Sequence, residues 1–399
     1  MVPAPVSMLF PPIDPNERFR ERRVASRRRK RLRRTILIGS LLSGVALLGL
    51  GAQFVNGPAS APVADPGLAT LPAVETTGPR SLPVELRGVH VTMGLASLPG
   101  KLDEYLSLER DGLTALELDV KDENGQIGFV SSRLRLAARV GAARDYYAAR
   151  ASARLVHARG LYLVGRVVVF EDPVLSHGRP DLAIRRSDGS VWEDAAGLGW
   201  TNPYDRRVWK YNVDVAAEAA RAGFDEILFD YVRFPSDGDV DGAVYRNPRS
   251  LPKRDAVPAF LRYASRRLEP LGVRVSAAVF GLSAERDLGI GQLPRRMASS
   301  LDHVYPMTYP SHFGPGELGL GDPGRTPGAT VDKALRRFER ALRGHDVLLV
   351  PWVQDFSFSV PYGIEQVRAQ IEAARRAGAK GYMLWNAEGR YTDGALSVP

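Results

Sequence analysis

The apolar positions of this 399-residue chain fall into eight short runs, each ending in polar or aromatic residues, with stretches of helical spacing between them. In order the runs are residues 88–92, 115–122, 161–170, 226–235, 273–281, 303–311, 347–356 and 381–387. Short apolar runs bounded by turn residues read as strands, and strands that alternate with helices imply a parallel sheet. Helical spacing is clearest at 205–221, where Val208, Tyr211, Val215 and Ala219 recur before a stop at Gly223. Residues 256–268 and 331–342 behave the same way, and 363–377 opens after Pro361 and closes at Gly378. Eight such units predict an α/β fold of the closed (β/α)8, or TIM-barrel, type over residues 84–399. The chain ends soon after the eighth run, so the last helix is expected to be short or missing. Two long connections, 171–201 and 312–330, follow the third and sixth strands and should shape a groove on the catalytic side.

The region before the barrel is built differently. Residues 36–55 form an apolar run without charge, long enough to cross a bilayer core. Residues 1–35 hold eleven basic against three acidic residues and so carry +8 of the chain's net +9. Such a cluster ahead of an apolar run places the N-terminus in the cytoplasm. The expected order is a disordered basic cytoplasmic tail over 1–35, a transmembrane signal-anchor over 36–55, a Pro/Ala-rich linker over 56–83, and the barrel outside the cytoplasm at the cell membrane. A cleaved signal peptide, leaving a secreted domain, is the rival. Ala59-Ser60-Ala61 resembles a cleavage site, but Pro62 follows it and the apolar run exceeds the usual length. The pI of 9.8 belongs mainly to the tail. The remainder is close to neutral and lacks the basic character expected of a nucleic-acid-binding domain. The chain has no cysteine, which excludes disulfides and thiolate metal sites.

Chemistry in a barrel of this kind gathers at the C-terminal ends of the strands. Here those ends carry Asp122, Asp172, Asp230, Asp355, Trp352, Trp385 and Asn386. On the fourth strand, alternation puts Glu226, Leu228, Asp230 and Val232 on one face. Asp230 follows an apolar run, and Arg233 is near enough in sequence to hold it charged. On the second strand Glu117, Asp119 and Lys121 share one parity, while Leu118, Val120 and Asp122 share the other. Burying Glu117 and Asp119 requires a cation, which Lys121 or Arg166 could supply; Glu117 reads as structural, Asp119 and Asp122 as candidates for the site. Tyr305, Tyr309, Trp352 and Trp385 would offer rings to the C–H faces of sugars, with at least one expected to fill the barrel top instead. His312 and Asn386 stand beside them. Carboxylates and aromatics on one rim point to carbohydrate chemistry. Hydrolysis of a glycosidic bond usually takes two carboxyl groups, one of them a proton donor. Asp230 is the choice for nucleophile or base, while Asp122, Asp119 and Asp355 compete for the donor role. The six histidines lack the paired spacing of a zinc site, and there is neither a G-x-S-x-G elbow nor a P-loop. No cofactor or metal is expected, and a metal-dependent deacetylase site finds no ligands.

The segments LDVKDENGQIGF, GRVVVFEDPVL, DGSVWED, GFDEILFDYVRFPSDG, GIGQ, YPMTYPSHF, PWVQDF and GYMLWNA resemble, in order, those of the bacterial "putative glycosyl hydrolase domain" family. The resemblance covers roughly residues 86–391. It implies a glycosidase-like TIM barrel, often attached to an export signal or membrane anchor. The segment FDYVRFP is also similar to the fourth-strand segment of the α-amylase-like superfamily, which by analogy makes Asp230 the nucleophile. One departure stands out. The family usually carries Ser-Ala-Asp-Val-Phe-Gly on the fifth strand, where this chain has Ser276-Ala277-Ala278-Val279-Phe280-Gly281. If the missing Asp is the family's acid, the protein would be a glycan-binding or envelope-scaffolding barrel without turnover. If the acid lies on the second or seventh strand, the expectation is a membrane-anchored hydrolase of a cell-envelope or exported polysaccharide, with Arg166 and Arg233 tuning its carboxylates.

Overall fold

The computed structural model describes residues 80–358 and 360–397. The expected tail, anchor and most of the linker lie outside the described residues. Among the described ones no helix is long and apolar enough to cross a membrane.

All eight apolar runs form strands. They are β1 (Leu86–Val91), β2 (Ala115–Lys121), β3 (Tyr162–Val168), β4 (Glu226–Asp230), β5 (Arg274–Phe280), β6 (His303–Met307), β7 (Leu348–Leu349), β8 (Trp352–Gln354) and β9 (Gly381–Trp385). The seventh run is split into β7 and β8 at Val350-Pro351, because Pro351 has no N–H to give to the ladder. Every pairing is parallel. The ladder runs from β1 through β6 to β7 and β8, then to β9, which pairs back to β1 through Leu86 and Gly381 and closes the barrel.

The helices follow their spacing and their caps. Arg206–Ala222 starts where the Asp205 side chain accepts from the Arg207 amide and ends at Gly223, whose φ of 108° only glycine adopts readily. Lys253–Leu268, Pro327–Leu342 and Ile364–Arg376 occupy the other expected stretches. Pro327–Leu342 begins four residues earlier than its spacing suggests, since a proline at the first helical position is pre-set for the turn. No helix follows β9 among the described residues.

Strand alternation divides the core in two. Leu86, Ala115, Val164, Leu228, Ala278, Tyr305, Trp352 and Met383 pack together inside the barrel. Val89, Leu116, Leu118, Ile227 and Phe229, of the opposite parity, pack with the helices outside. The connection after β3 folds into a small layer through bridges such as Glu171 with Trp200 and Arg185 with Val191. The connection after β6 is a series of 3-10 turns.

Candidate active site

Three carboxylates converge on one guanidinium at the C-terminal mouth. Arg166, in the upper half of β3, is buried. Its Nε and Nη2 donate to Asp230 Oδ2 at 2.9 and 2.7 Å, and its Nη1 donates to Asp119 Oδ1 at 2.8 Å. Glu123 Oε2 lies 3.5 Å from the same Nη1. Burial disfavours the charge on Arg166, but Asp230, Asp119 and Glu123 outweigh it and hold its pKa well above the ordinary value. Beneath this layer Glu117 Oε1 is 2.8 Å from His90 Nδ1, and Glu117 Oε2 accepts from Trp352 Nε1 at 3.1 Å. Burial raises the Glu117 pKa, more than His90 and Arg166 lower it. The other His90 nitrogen is 3.8 Å from Asp119.

Asp230 ends its strand at a strained backbone. Tyr231 has φ of 48°, a left-handed conformation that costs a tyrosine about 1–3 kcal/mol. In that conformation its amide donates to Asp230 Oδ1 at 2.7 Å, so one oxygen is held by backbone and the other by Arg166.

Local register explains which cation serves the site. The β2–β3 ladder shifts register between Asp119 and Lys121. Such a bulge re-aims a side chain. Lys121 therefore leaves the face it would share with Asp119. Its Nζ donates to Val168 O at 2.7 Å and Asn212 Oδ1 at 3.0 Å, and pairs with Asp172 at 2.8 Å. Asp172 also accepts from the Leu175 amide at 2.7 Å and caps a short helix.

Beyond the bulge Asp122, Glu123, Asn124 and Gly125 form a tight turn. Asp122 Oδ1 accepts from the amides of Asn124 (3.0 Å) and Gln126 (2.9 Å), and its Oδ2 from Asn124 Nδ2 (2.7 Å). Burial first, and the neighbouring Glu123 carboxylate second, push Asp122 up to about 7. Gly125 is required here. Its φ is 72°, and a Cβ would lie 2.2 Å from Asp172 Oδ1. Glu123 escaped the sequence reading because the turn, rather than strand parity, brings it to Arg166. The signal available was its place in an acidic strand-end segment, Asp122-Glu123-Asn124-Gly125.

The other candidates divide by depth. Trp352 and Trp385 stack with centroids 4.7 Å apart, and Trp385 also contacts His90 at 4.2 Å. The Arg166 guanidinium lies 5.5 Å from the Trp385 ring. Tyr309 is buried 6.5 Å from Trp385, and His312 packs against Tyr309, Phe356 and Phe358. Tyr305 is buried in the barrel interior, beside Trp352 in its packing cluster. Asp355 accepts from the amide and hydroxyl of Thr392 at 2.8 and 2.5 Å, and burial raises its pKa despite those bonds. Asn386 donates to the Asp355 carbonyl at 2.5 Å. Both therefore tie the C-terminal segment to the barrel. Arg233 is engaged elsewhere than Asp230: its Nη1 donates to Phe234 O and Ser236 Oγ, and its guanidinium lies about 5 Å from the rings of Trp200, Tyr231 and Phe280. Among the described residues no group of three His, Asp or Glu side chains is placed to hold a metal ion.

A closed parallel barrel whose mouth holds clustered carboxylates beside stacked tryptophans defines a glycoside-hydrolase-like domain. The family model described as "Putative glycosyl hydrolase domain" matches residues 88–391, and the chain belongs to that family. No curated protein matches the chain. Among solved structures, the glycoside hydrolase domain of PgaB (BpsB) from Bordetella bronchiseptica is 15% identical, with a TM-score of 0.53 over 77% of this chain and 95% of that one. The catalytic domain of a beta-amylase from Paenibacillus polymyxa is 14% identical, with a TM-score of 0.52 over 79% of this chain and 98% of that one. At these identities the likeness is one of fold. A hypothetical protein from Ruminiclostridium thermocellum is 32% identical over 47% of this chain and 96% of its own, with a TM-score of 0.44.

Proposed function

We propose that the protein hydrolyses glycosidic bonds in a cell-envelope or exported polysaccharide, with Asp230 as nucleophile or base and Asp122 as proton donor. The observation that carries this reading is the convergence of Asp119, Glu123 and Asp230 on Arg166, beside Trp385. Three carboxylates gathered on one guanidinium concentrate negative charge at the mouth. A carboxyl group next to such a cluster keeps its proton, and the Asp122 pKa of about 7 is what a general acid working near neutrality needs. Asp230 is oriented by two independent sets of donors, as a reacting carboxylate must be. Asp122 would protonate the glycosidic oxygen while Asp230, directly or through water, supplies the electron pair to the anomeric carbon. The uncharged run 36–55 behind an arginine cluster supports a single-pass anchor with the barrel outside the cytoplasm.

The test is reducing-sugar release by the full-length protein from a panel of bacterial envelope and capsular polysaccharides, beside Asp230→Asn. Release by the wild type alone supports the reading, and equal release by both sinks it. Ala278 favours a second reading. Phe229 pairs with Ala277, so Ala278 stands beside Asp230 inside the barrel where a family acid would point. Under that reading both proteins bind the glycan and neither releases sugar.

A further inference from the structure

A second feature lies outside the barrel mouth. The loops after β2 and β3 and the first turns of Arg206–Ala222 enclose a cleft of about 460 Å³. Its walls carry Arg133, Arg135, Arg139, Arg206, Arg207 and Lys210, and Asp214 is the one acid among its lining residues. Its floor is apolar, made by Leu134, Leu136, Ala137, Leu182 and the ring of Tyr211.

Two aspects of this charge distribution work against folding. Arg135 and Arg139 stand four apart on the short helix Arg135–Val140, a like-charge spacing that destabilises a helix. Arg206, Arg207 and Lys210 occupy the N-terminal turns of Arg206–Ala222, whose first turn holds no acid, although the helix dipole favours anions there. Arg133, Arg207, Lys210 and the neighbouring Arg179 are offset by Glu218, Asp205, Asp214 and Asp181. Arg135, Arg139 and Arg206 make no ion pair among the described residues. Arg206 instead lies 3.8 Å from the Trp209 ring, and its pKa is lowered by burial and then by Arg249. An anion from outside would relieve all three.

We propose that this cleft binds the acidic groups of a polyanionic glycan, carboxylate or phosphate, with the sugar rings on its apolar floor. Guanidinium pairs take such groups bidentately, while the floor suits the C–H faces of sugars. A concave site with charge on its walls fits a polymer strand rather than a flat lipid surface. The chain's own residues 1–35 are basic and would be repelled. The cleft uses loops from the C-terminal side of the barrel, the side that carries the mouth. The proposal rests on the glycan reading for the polymer's backbone and is independent of turnover.

The experiment is hydrogen–deuterium exchange of the full-length protein in detergent micelles. The probes are oligogalacturonate, poly(N-acetylglucosamine-1-phosphate), a neutral chito-oligosaccharide and phosphatidylglycerol vesicles. Segment resolution separates the cleft from the basic tail. Exchange in residues 133–140 and 206–214 should slow about tenfold at ten times the dissociation constant of an acidic polymer. The neutral oligosaccharide should leave these segments unchanged. The exposed double variant Arg135→Glu/Arg139→Glu should lose the protection, and the exposed Arg340→Glu on another helix should keep it. Protection by either acidic polymer supports the proposal and identifies the acid. Protection by neither, by vesicles alone, or equally in the double variant overturns it. Asp230→Asn should bind as the wild type does, so a failure of turnover and a failure of this site are read separately.

Discussion

Glu226 and Asp230 lie on the same face of β4, four residues apart, and both are buried. At the lower end Glu226 Oε2 is 2.8 Å from His303 Nδ1 and accepts from the Tyr162 hydroxyl at 3.0 Å. Burial pushes Glu226 up, but the charge and hydrogen bond of His303 outweigh it, and its pKa is lowered; that of His303 is raised. One acid meets one base in a closed interior. At the upper end Asp230 shares Arg166 with Asp119 and Glu123. The same strand thus carries a balanced pair at its base and an over-subscribed cation at its mouth. The first arrangement neutralises its charges where they are buried; the second is where the proposed acid–base chemistry would take place.

Substitutions at the two ends should therefore fail in different ways. Asp230→Asn should lower polysaccharide hydrolysis by about 10²–10⁴-fold. Its melting temperature should change little, because Arg166 keeps Asp119 and Glu123; reducing-sugar assays and a thermal scan check both parts. Glu226→Gln should do the reverse, losing about 3–5 kcal/mol in chemical denaturation as a broken buried pair does, with activity per folded molecule retained.

The lower pair also sets a pH window. A lowered carboxyl stabilises the fold above its ordinary value of 4.5 and loses that contribution as pH falls through its folded value. A raised histidine stabilises below 6.5 and loses its contribution as pH rises through its folded value. The stability gap between wild type and Glu226→Gln should be widest between these values and narrow on either side. A profile without a maximum there would count against the pair.

Smaller effects sharpen the upper end. Asp122→Asn should lower turnover by about 10²-fold and remove an alkaline limb near pH 7, since a proton donor is lost as pH rises through its pKa. An unchanged limb would move the donor role elsewhere on the rim. Gly125→Ala should cost about 1–2 kcal/mol from its left-handed φ, and more if Asp172 cannot shift. Comparing its turnover with that loss tests whether the turn positions Asp122 and Glu123.

Much of this was legible in the chain. Eight apolar runs became the barrel's strands, with the seventh interrupted at Pro351, and Asp205 and Gly223 marked a helix at both ends. Asp119 and Asp230 were picked out by strand-end position and meet at Arg166. Lys121 and Arg233 had equal claim as partners by proximity in sequence, yet a bulge turns one away and aromatic rings surround the other. Of the four rings read as rim platforms, at least one was expected to fill the barrel top, and Tyr305 is buried in the interior.

Periodicity, caps and strand-end polarity are properties of neighbouring residues, so the sequence by itself determined the strands, their order and the side of the barrel that carries carboxylates. Which cation meets which acid depends on residues dozens of positions apart, on the register between strands and on a turn that delivers Glu123 from outside the alternation. Coulombic and desolvation energies vary with distance and depth, and depth exists only once the barrel closes. Only the tertiary structure therefore decided that Glu226 is balanced, that Asp230 shares its cation, and that burial beside Glu123 raises Asp122 to about 7.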